Sequence, residues 1–196
     1  MGKKVQISSR LKSAFRAIIK REKKLSLKLR PEVLLSGNVP KPMHGVAPRV
    51  VLGKKWWDET RKAAYQSTGR HCVACGVHES NAPYRRWLEG HELYEVDYLL
   101  GRMTYLETVP LCHACHCFIH DGRLLSLLEK GEISRAKYDT IIAHGEAVLR
   151  KAGLQRQGYD GPFAEWSDWR LVVNGEEYPP KFKSLEDWIE HFDHAE

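Results

Sequence analysis

The sequence predicts an α+β protein, because strand-type and helix-type patterns follow one another in the middle of the chain. Residues 87–98 (WLEGHELYEVDY) combine aromatic and β-branched side chains, which is typical of a strand. A turn near Gly101 and a second strand that ends before Pro110 are expected next, and a helix is predicted to begin near His113. Two CxxC pairs flank the predicted strands, and we expect them to hold this unit together through a bound metal ion.

Further helices are predicted on both sides of this unit. One is expected over about residues 55–68, with Gly69 placed to end it. Two more are expected over residues 123–130 and 135–152, the second with Ser134 as its N-cap. We therefore assign residues 56–153 to a core with a helical extension.

A small accessory module is predicted for residues 154–196. Asn174 and Gly175 favour a tight turn between two short strands, over residues 169–173 and 176–178. Ser184 is expected to cap a final helix, whose apolar face holds Leu185, Trp188, Ile189 and Phe192.

Positive charge is concentrated at the N-terminus. The chain carries a formal net charge of +6, yet residues 1–30 hold eleven basic residues and one acidic residue. Apolar side chains at helical spacing predict a basic amphipathic helix over about residues 9–29, which forms an N-terminal arm. A polyanion is the expected partner, nucleic acid first. The side chains expected to contact it are Lys12, Arg16, Lys20, Lys23 and Lys24.

The same arm also fits a solvated helix that packs on the core, a helix on an anionic membrane, or a mitochondrial-type presequence. Residues 31–55 contain four prolines and are predicted to be a linker between the arm and the core. Insertion of the arm into a larger nucleoprotein assembly is a further expectation.

Composition and cysteine usage indicate an intracellular, cytoplasmic protein. Hydrophobic residues make up 42% and charged residues 29% of the chain. No apolar run approaches the roughly 20 residues that span a bilayer, and the N-terminus lacks the apolar segment of a secretory signal. We therefore expect no membrane partner. Four of the five cysteines lie in CxxC pairs, which in a reducing compartment indicates metal binding before disulfides.

The two CxxC pairs, Cys72 with Cys75 and Cys112 with Cys115, are separated by 36 residues. Two thiolates three residues apart on a turn occupy two corners of a tetrahedron, and a second pair completes it. This spacing predicts a structural Zn²⁺ site, with free core cysteines or a redox disulfide as the alternatives. The remaining Cys117 is expected to be a small buried side chain.

Histidines cluster beside the second pair. His116 and His120 are four residues apart, so on a helix they face the same way and can hold a second divalent ion. A strand–strand–helix unit would bring His91 over that helix. The alternatives are that His91 bonds to the zinc knuckle and that His120 caps a helix. We expect His113 to face solvent, and Trp87 to pack on the hairpin.

The combined pattern of a CxxC pair, LEGHELYEVD and LCHACHCFIHDG over about residues 40–125 resembles the HNH endonucleases. The closest likeness is to the subgroup with a zinc-binding CxxC pair on each side of the core. The resemblance implies a zinc-stabilised, treble-clef-like ββα-metal core. It also implies a metal-dependent endonuclease that hydrolyses phosphodiester bonds in DNA.

The resemblance further implies a role for individual residues. His91 matches the general base that activates water, and an ordinary imidazole pKa near 6.5 suits that role. His116 and His120 match the ligands of a catalytic Mg²⁺ or other divalent metal. Glu92, directly after His91, is assigned to the site because some members carry the same HE pair.

Two positions depart from the family pattern. Gly90 stands where many members have an Asp or His metal ligand, and Glu107 stands where an Asn is common. The alternative function is therefore a catalytically degenerate zinc module that binds DNA or protein. Carboxylates that could replace the absent ligand are Glu89, Glu92, Glu95 and Asp97, of which Glu92 points away from His91 in a regular strand.

Overall fold

The structure, a computed structural model, describes residues 27–193. Residues 27–30, which include the end of the predicted basic helix, have no regular secondary structure. The rest of that helix lies outside the described residues. So do the side chains expected to contact nucleic acid: Lys12, Arg16, Lys20, Lys23 and Lys24.

A single four-stranded sheet has the order β1-β2-β3-β4. Its strands are β1 (Glu89–Asp97), β2 (Arg102–Leu111), β3 (Arg170–Val173) and β4 (Glu176–Tyr178). β1 and β2 pair antiparallel, β3 joins β2 in parallel, and β4 pairs antiparallel with β3. The C-terminal hairpin, expected as an accessory module, therefore extends the sheet that carries the core strands.

The sequence predicted that the second strand ends before Pro110, and this prediction is wrong. β2 continues to Leu111, and Pro110 pairs opposite Gly90 of β1. The Pro110 carbonyl accepts a hydrogen bond of 3.0 Å from the Val73 N–H, so its polar backbone faces away from β1. β3 pairs only with residues 102–104, so no strand needs the N–H that proline lacks.

The prediction of a mixed α+β protein is confirmed, with six α-helices among residues 27–193. They are α1 (Pro48–Val51), α2 (Gly53–Ser67), α3 (His113–Ile119), α4 (Asp121–Glu129), α5 (Arg135–Lys151) and α6 (Leu185–Asp193). The Ser134 hydroxyl accepts from the Lys137 N–H at 3.2 Å, which confirms the predicted N-cap of α5. None of the helices within the described part of the chain has both the length and the hydropathy that a bilayer span requires.

Two groups of buried side chains hold these elements together. One surrounds the cysteines and includes Phe118. The other lies beside the paired segment of β2 and β3 and includes Met43 and Trp169. Residues 31–55 were predicted to be a linker, whereas Leu34 and Met43 within them are fully buried. This stretch therefore packs against the rest of the protein.

Helix α3 lies close to α5 at Gly145. A Cβ atom placed on Gly145 would lie 2.1 Å from Cγ of Phe118, far inside van der Waals contact. The absence of a side chain therefore lets the Phe118 ring rest on the backbone of α5. This contact fixes the position of α3, which carries residues of both candidate metal sites.

Candidate functional site

The structure brings the four CxxC cysteines together. Their four sulfur atoms all lie within 4.8 Å of one another, and three of the four residues are buried. The Cys75 and Cys112 sulfurs are 3.8 Å apart. Four sulfurs at the usual Zn–S distance of about 2.3 Å around one tetrahedral zinc are separated by roughly 3.8 Å. The cluster can therefore hold a metal ion such as zinc.

Each cysteine pair lies on a backbone turn that presents its sulfurs. In the first pair, the Gly76 N–H donates to the Cys72 carbonyl at 2.8 Å, and Gly76 has a φ of 79°. This left-handed conformation suits glycine and closes a tight turn. In the second pair, Cys112 precedes α3 and its carbonyl accepts from the His116 N–H at 2.9 Å. A helix start thus supplies the other two thiols.

His144 is a neighbour of this cluster that the sequence analysis missed. Its Nε2 lies 3.3 Å from the Cys115 sulfur, and it comes from α5, 29 residues further along the chain. A hydrogen bond to Cys75 and the negative charge of the thiolates raise the pKa of His144. An imidazole N–H that donates to a metal-bound thiolate offsets part of the cluster's negative charge. No CxxC-type spacing connects His144 to the cysteines, so only the fold reveals it.

A second group consists of His91, His116 and His120. One ring nitrogen from each lies within 4.8 Å of the others. The ring centroids are 5.5 Å apart for His91 and His116, 5.1 Å for His91 and His120, and 4.8 Å for His116 and His120. β1 supplies His91, α3 supplies His116, and His120 follows the last residue of α3. A strand and a helix end therefore converge on a site that could hold a metal ion.

The imidazoles of His91 and His120 are neutral at pH 7. Burial, together with the positive charge of His116, His120 and Arg49, lowers the pKa of His91 to about 2. Burial and the positive charge of His116 lower the pKa of His120 to about 4. The ordinary value near 6.5 expected for His91 therefore does not hold in this environment. Neutral imidazole is the form that binds metals, so the rings of His91 and His120 are in the form that can bind a cation at physiological pH.

Glu89 connects two of the histidines on α3. Its carboxylate oxygens lie 2.8 Å from Nδ1 of His113 and 2.6 Å from Nδ1 of His116. Burial alone would raise the pKa of Glu89, but the hydrogen bonds from both imidazoles outweigh it and lower the pKa. A carboxylate that accepts from Nδ1 of a histidine fixes its tautomer and leaves Nε2 free for a metal. Glu89 therefore positions His116.

The expectation that His113 faces solvent is wrong. His113 is buried, because the first turn of α3 faces the start of β1, where Glu89 lies. Hydrogen bonds to Cys117 and to Glu89 raise the pKa of His113 to about 9. Protonated His113 thus balances the negative charge of Glu89.

Glu92 lines the same region but belongs to neither metal-binding group. Its carboxylate forms an ion pair with Arg49, whose backbone N–H also donates to it at 3.4 Å. Burial raises the pKa of Glu92, and Arg49 opposes this effect. The Arg49 guanidinium lies over the Trp57 ring at 5.8 Å from the centroid. Arg49, which the sequence analysis placed in the linker, is therefore part of the site.

Packing explains why a glycine stands directly before His91. A Cβ atom on Gly90 would lie 3.0 Å from Cη2 of Trp57 and 3.2 Å from Cβ of Arg61, both on α2. Any side chain at this position would require the Trp57 ring and Arg61 to move by a few tenths of an ångström. Trp57 occupies the space, and the chain offers three histidines in place of a ligand at position 90.

A cavity of about 620 Å³ lies over the histidine cluster. Arg49 and Arg123 line it together with the three imidazoles, and Arg123 is exposed. Glu92 also lines the cavity and pairs with Arg49, so Arg123 adds a positive charge that no ion pair within residues 27–193 balances.

No family model, curated protein or solved structure matches this chain. The functional inference below therefore depends on the chemistry of the two clusters and of the cavity.

We expect Glu89→Gln to weaken binding of Zn²⁺ or Ni²⁺ at the histidine cluster by about 10- to 100-fold. The neutral amide accepts more weakly from Nδ1 of His116 and no longer selects one tautomer. Isothermal titration of protein whose cysteine cluster is already loaded with zinc measures this affinity. Glu95→Gln, at an exposed position on the same strand, is the control and should bind as wild type does. Equal affinities for both variants would contradict the positioning role.

Proposed function

We propose that the protein is a metal-dependent endonuclease of the HNH type that hydrolyses phosphodiester bonds in DNA. The observation that carries the proposal is the convergence of His91, His116 and His120 in a cavity flanked by two arginines. Strands β1 and β2 lie between the two cysteine pairs, and α3 begins within the second pair. This order is also that of a zinc-stabilised ββα-metal core, which supports the proposal. On this proposal the cysteines hold a structural zinc.

His116 and His120 would hold the catalytic cation. Imidazole nitrogens suit Zn²⁺, Ni²⁺ and similar ions, whereas Mg²⁺ prefers oxygen ligands. The donor set therefore fits a transition metal better than the Mg²⁺ first expected. A divalent cation bound there would stabilise the negative charge that develops on the scissile phosphate.

His91 is proposed to accept a proton from the attacking water. It is neutral at pH 7 and faces the same cavity as the two proposed ligands. Its low pKa makes it a weak base in the free protein. The negative charge of a bound phosphate would raise that pKa, and the divalent cation on His116 and His120 would oppose the rise. If His91 were instead a third ligand, His91→Ala would weaken metal binding as His116→Ala does. A base leaves that affinity unchanged.

The arginines are proposed to position the substrate. Arg49 reaches the cavity from α1 and Arg123 from α4, on the elements that flank the histidines. Guanidinium groups bind phosphate oxygens with two parallel hydrogen bonds, which orients the phosphodiester. Arg49 would give up part of its contact with Glu92 and bind the substrate phosphate instead.

The test is plasmid cleavage by zinc-loaded protein supplied separately with Mn²⁺, Ni²⁺, Zn²⁺ and Mg²⁺. We expect cleavage that requires added metal and falls by about 10²- to 10⁴-fold in His91→Ala, the usual effect of losing a general base. His191→Ala, at an exposed position on α6, is the matched control and should cleave normally. The zinc content of each variant shows that the fold is intact.

A binding module without catalysis is the second candidate. The packing of Trp57 against Gly90 favours it, because that contact removes the ligand position found in many HNH enzymes. Failure of folded, zinc-loaded protein to cleave DNA with every metal would select this candidate.

A further inference from the structure

An exposed loop lies directly before β1. Its five consecutive residues, 83–87, are all exposed, while Ala82 and Leu88 on either side are buried. Two of the five are large aromatic residues, Tyr84 with 46% and Trp87 with 53% of its surface exposed. The sequence analysis expected Trp87 to pack on the hairpin. Instead, the 83–87 loop presents its aromatic side chains to solvent.

Positive side chains accompany both aromatic rings. The Arg85 guanidinium lies 5.5 Å from the centroid of Trp87, and the Lys137 ammonium lies 5.6 Å from that of Tyr84. Arg86, which lies between Arg85 and Trp87, forms no ion pair within residues 27–193. Exposed aromatic rings interleaved with cations are the composition of surfaces that bind single-stranded nucleic acid.

The backbone holds this loop in a defined shape. Tyr84 has a φ of 68°, which a bulky residue adopts only when its surroundings hold it there. The Arg85 N–H donates to the Pro83 carbonyl at 2.8 Å, which closes the turn. The aromatic side chains are therefore presented by a fixed turn.

The 83–87 loop is continuous with the histidine cluster. Nη1 of Arg85 lies 3.1 Å from Oε1 of Glu89, and Oε2 of the same carboxylate contacts His116 at 2.6 Å. The Tyr84 ring centroid is 6.1 Å from that of His113, which also contacts Glu89. One carboxylate therefore separates the loop from a proposed metal ligand.

We propose that the 83–87 loop stacks unpaired bases of the DNA strand whose phosphodiester lies at the histidine cluster. This inference rests on the proposed function and adds a preference for a substrate with single-stranded character. Bases inside a duplex already stack on one another and offer no free face, whereas unpaired bases stack on any exposed aromatic ring. The side chains of Arg85, Arg86 and Lys137 supply positive charge for the phosphates of that strand.

The test is fluorescence anisotropy with a labelled thymidine oligonucleotide and with a labelled duplex, on the full chain without added divalent metal. Trp87→Ala should weaken single-strand binding by about 5- to 150-fold, the effect of losing one stacked base. Its duplex affinity should change by less than about two-fold, since phosphate contacts dominate there. Trp87→Phe should retain most of the single-strand affinity.

Phe163→Ala is the matched control. Phe163 has 59% of its surface exposed and packs against Tyr98, which follows the far end of β1. The nine residues of β1 place it roughly 30 Å from Trp87. Equal losses for Trp87→Ala and Phe163→Ala, or equal losses for the two DNA forms, would overturn the inference.

The two proposals fail separately in this design. Binding is measured without cleavage, so single-strand binding through Trp87 by a protein that never cuts DNA would leave the loop assignment standing and remove the nuclease. Metal-dependent cleavage that Trp87→Ala leaves unchanged on both DNA forms would keep the nuclease and overturn the loop assignment.

Discussion

Replacing Cys112 with serine is expected to abolish cooperative folding of the core. Cys112 joins the end of β2 to the start of α3 and contributes one of four clustered sulfurs. A structural zinc contributes about 10–16 kcal/mol in small zinc domains, whereas the whole free energy of unfolding of a domain is about 5–15 kcal/mol. The contribution of the metal is therefore comparable with the total stability, and loss of one of its four ligands weakens it.

Circular dichroism during thermal unfolding, with zinc measured by mass spectrometry, checks this prediction. Cys117→Ser is the matched control, because Cys117 lies on α3, five residues after Cys112, but outside the four-sulfur cluster. It should keep its zinc and its unfolding transition. A Cys112→Ser protein that unfolds cooperatively near the wild-type temperature would show that the cluster does not hold the fold together.

Gly145→Ala is expected to lower the free energy of unfolding by about 2 kcal/mol or more, against the trend for helices. Alanine favours a helix over glycine by about 1 kcal/mol, which alone would stabilise α5. The added Cβ, however, would lie 2.1 Å from Cγ of Phe118, a buried side chain whose ring atoms Cδ1 and Cδ2 are also within 2.5 Å. Overpacking of a core costs about 1–3 kcal/mol and more where the backbone must shift, so the clash outweighs the helix preference.

Urea unfolding of two alanine variants isolates the clash. Gly122 lies on α4, and a Cβ there meets no atom within 4 Å. Gly122→Ala should therefore raise the free energy of unfolding by up to about 1 kcal/mol. If both variants are stabilised alike, α3 does not rest on α5 as closely as the structure has it.

The elements that the sequence predicted well are those set by neighbouring residues. The Asn174-Gly175 turn forms with φ values of 53° and 83°, because these residue types tolerate the left-handed conformation. The Ser134 cap likewise depends on a contact only three residues away. With Gly69 as a helix end and Ser134 as a helix start, α2 and α5 were predicted to within two residues at each end.

The features that escaped prediction depend on contacts between distant segments. β3 pairs in parallel with β2, and the paired residues are more than sixty positions apart in the sequence. No local sequence pattern predicts that pairing. Arg49 enters the site only because the stretch before α2 packs onto β1. The contacts of the Glu89 carboxylate with His113 and His116 depend on the angle between β1 and α3. The spacing of the histidines along the sequence does not predict that angle.

The two candidate metal sites share the first turn of α3, where Cys115 and His116 are adjacent residues. The helix that orients His116 starts from the sulfur cluster, so we expect the second site to be held in shape best when the first is filled. Metal uptake should consequently be sequential, with zinc at the sulfurs preceding any ion at the imidazoles. An oxidant that removes a zinc ion bound at the sulfurs should then also weaken metal binding at the histidines, although it modifies no histidine. Stepwise loading during a zinc titration followed by native mass spectrometry would reveal that hierarchy, and random loading would exclude it.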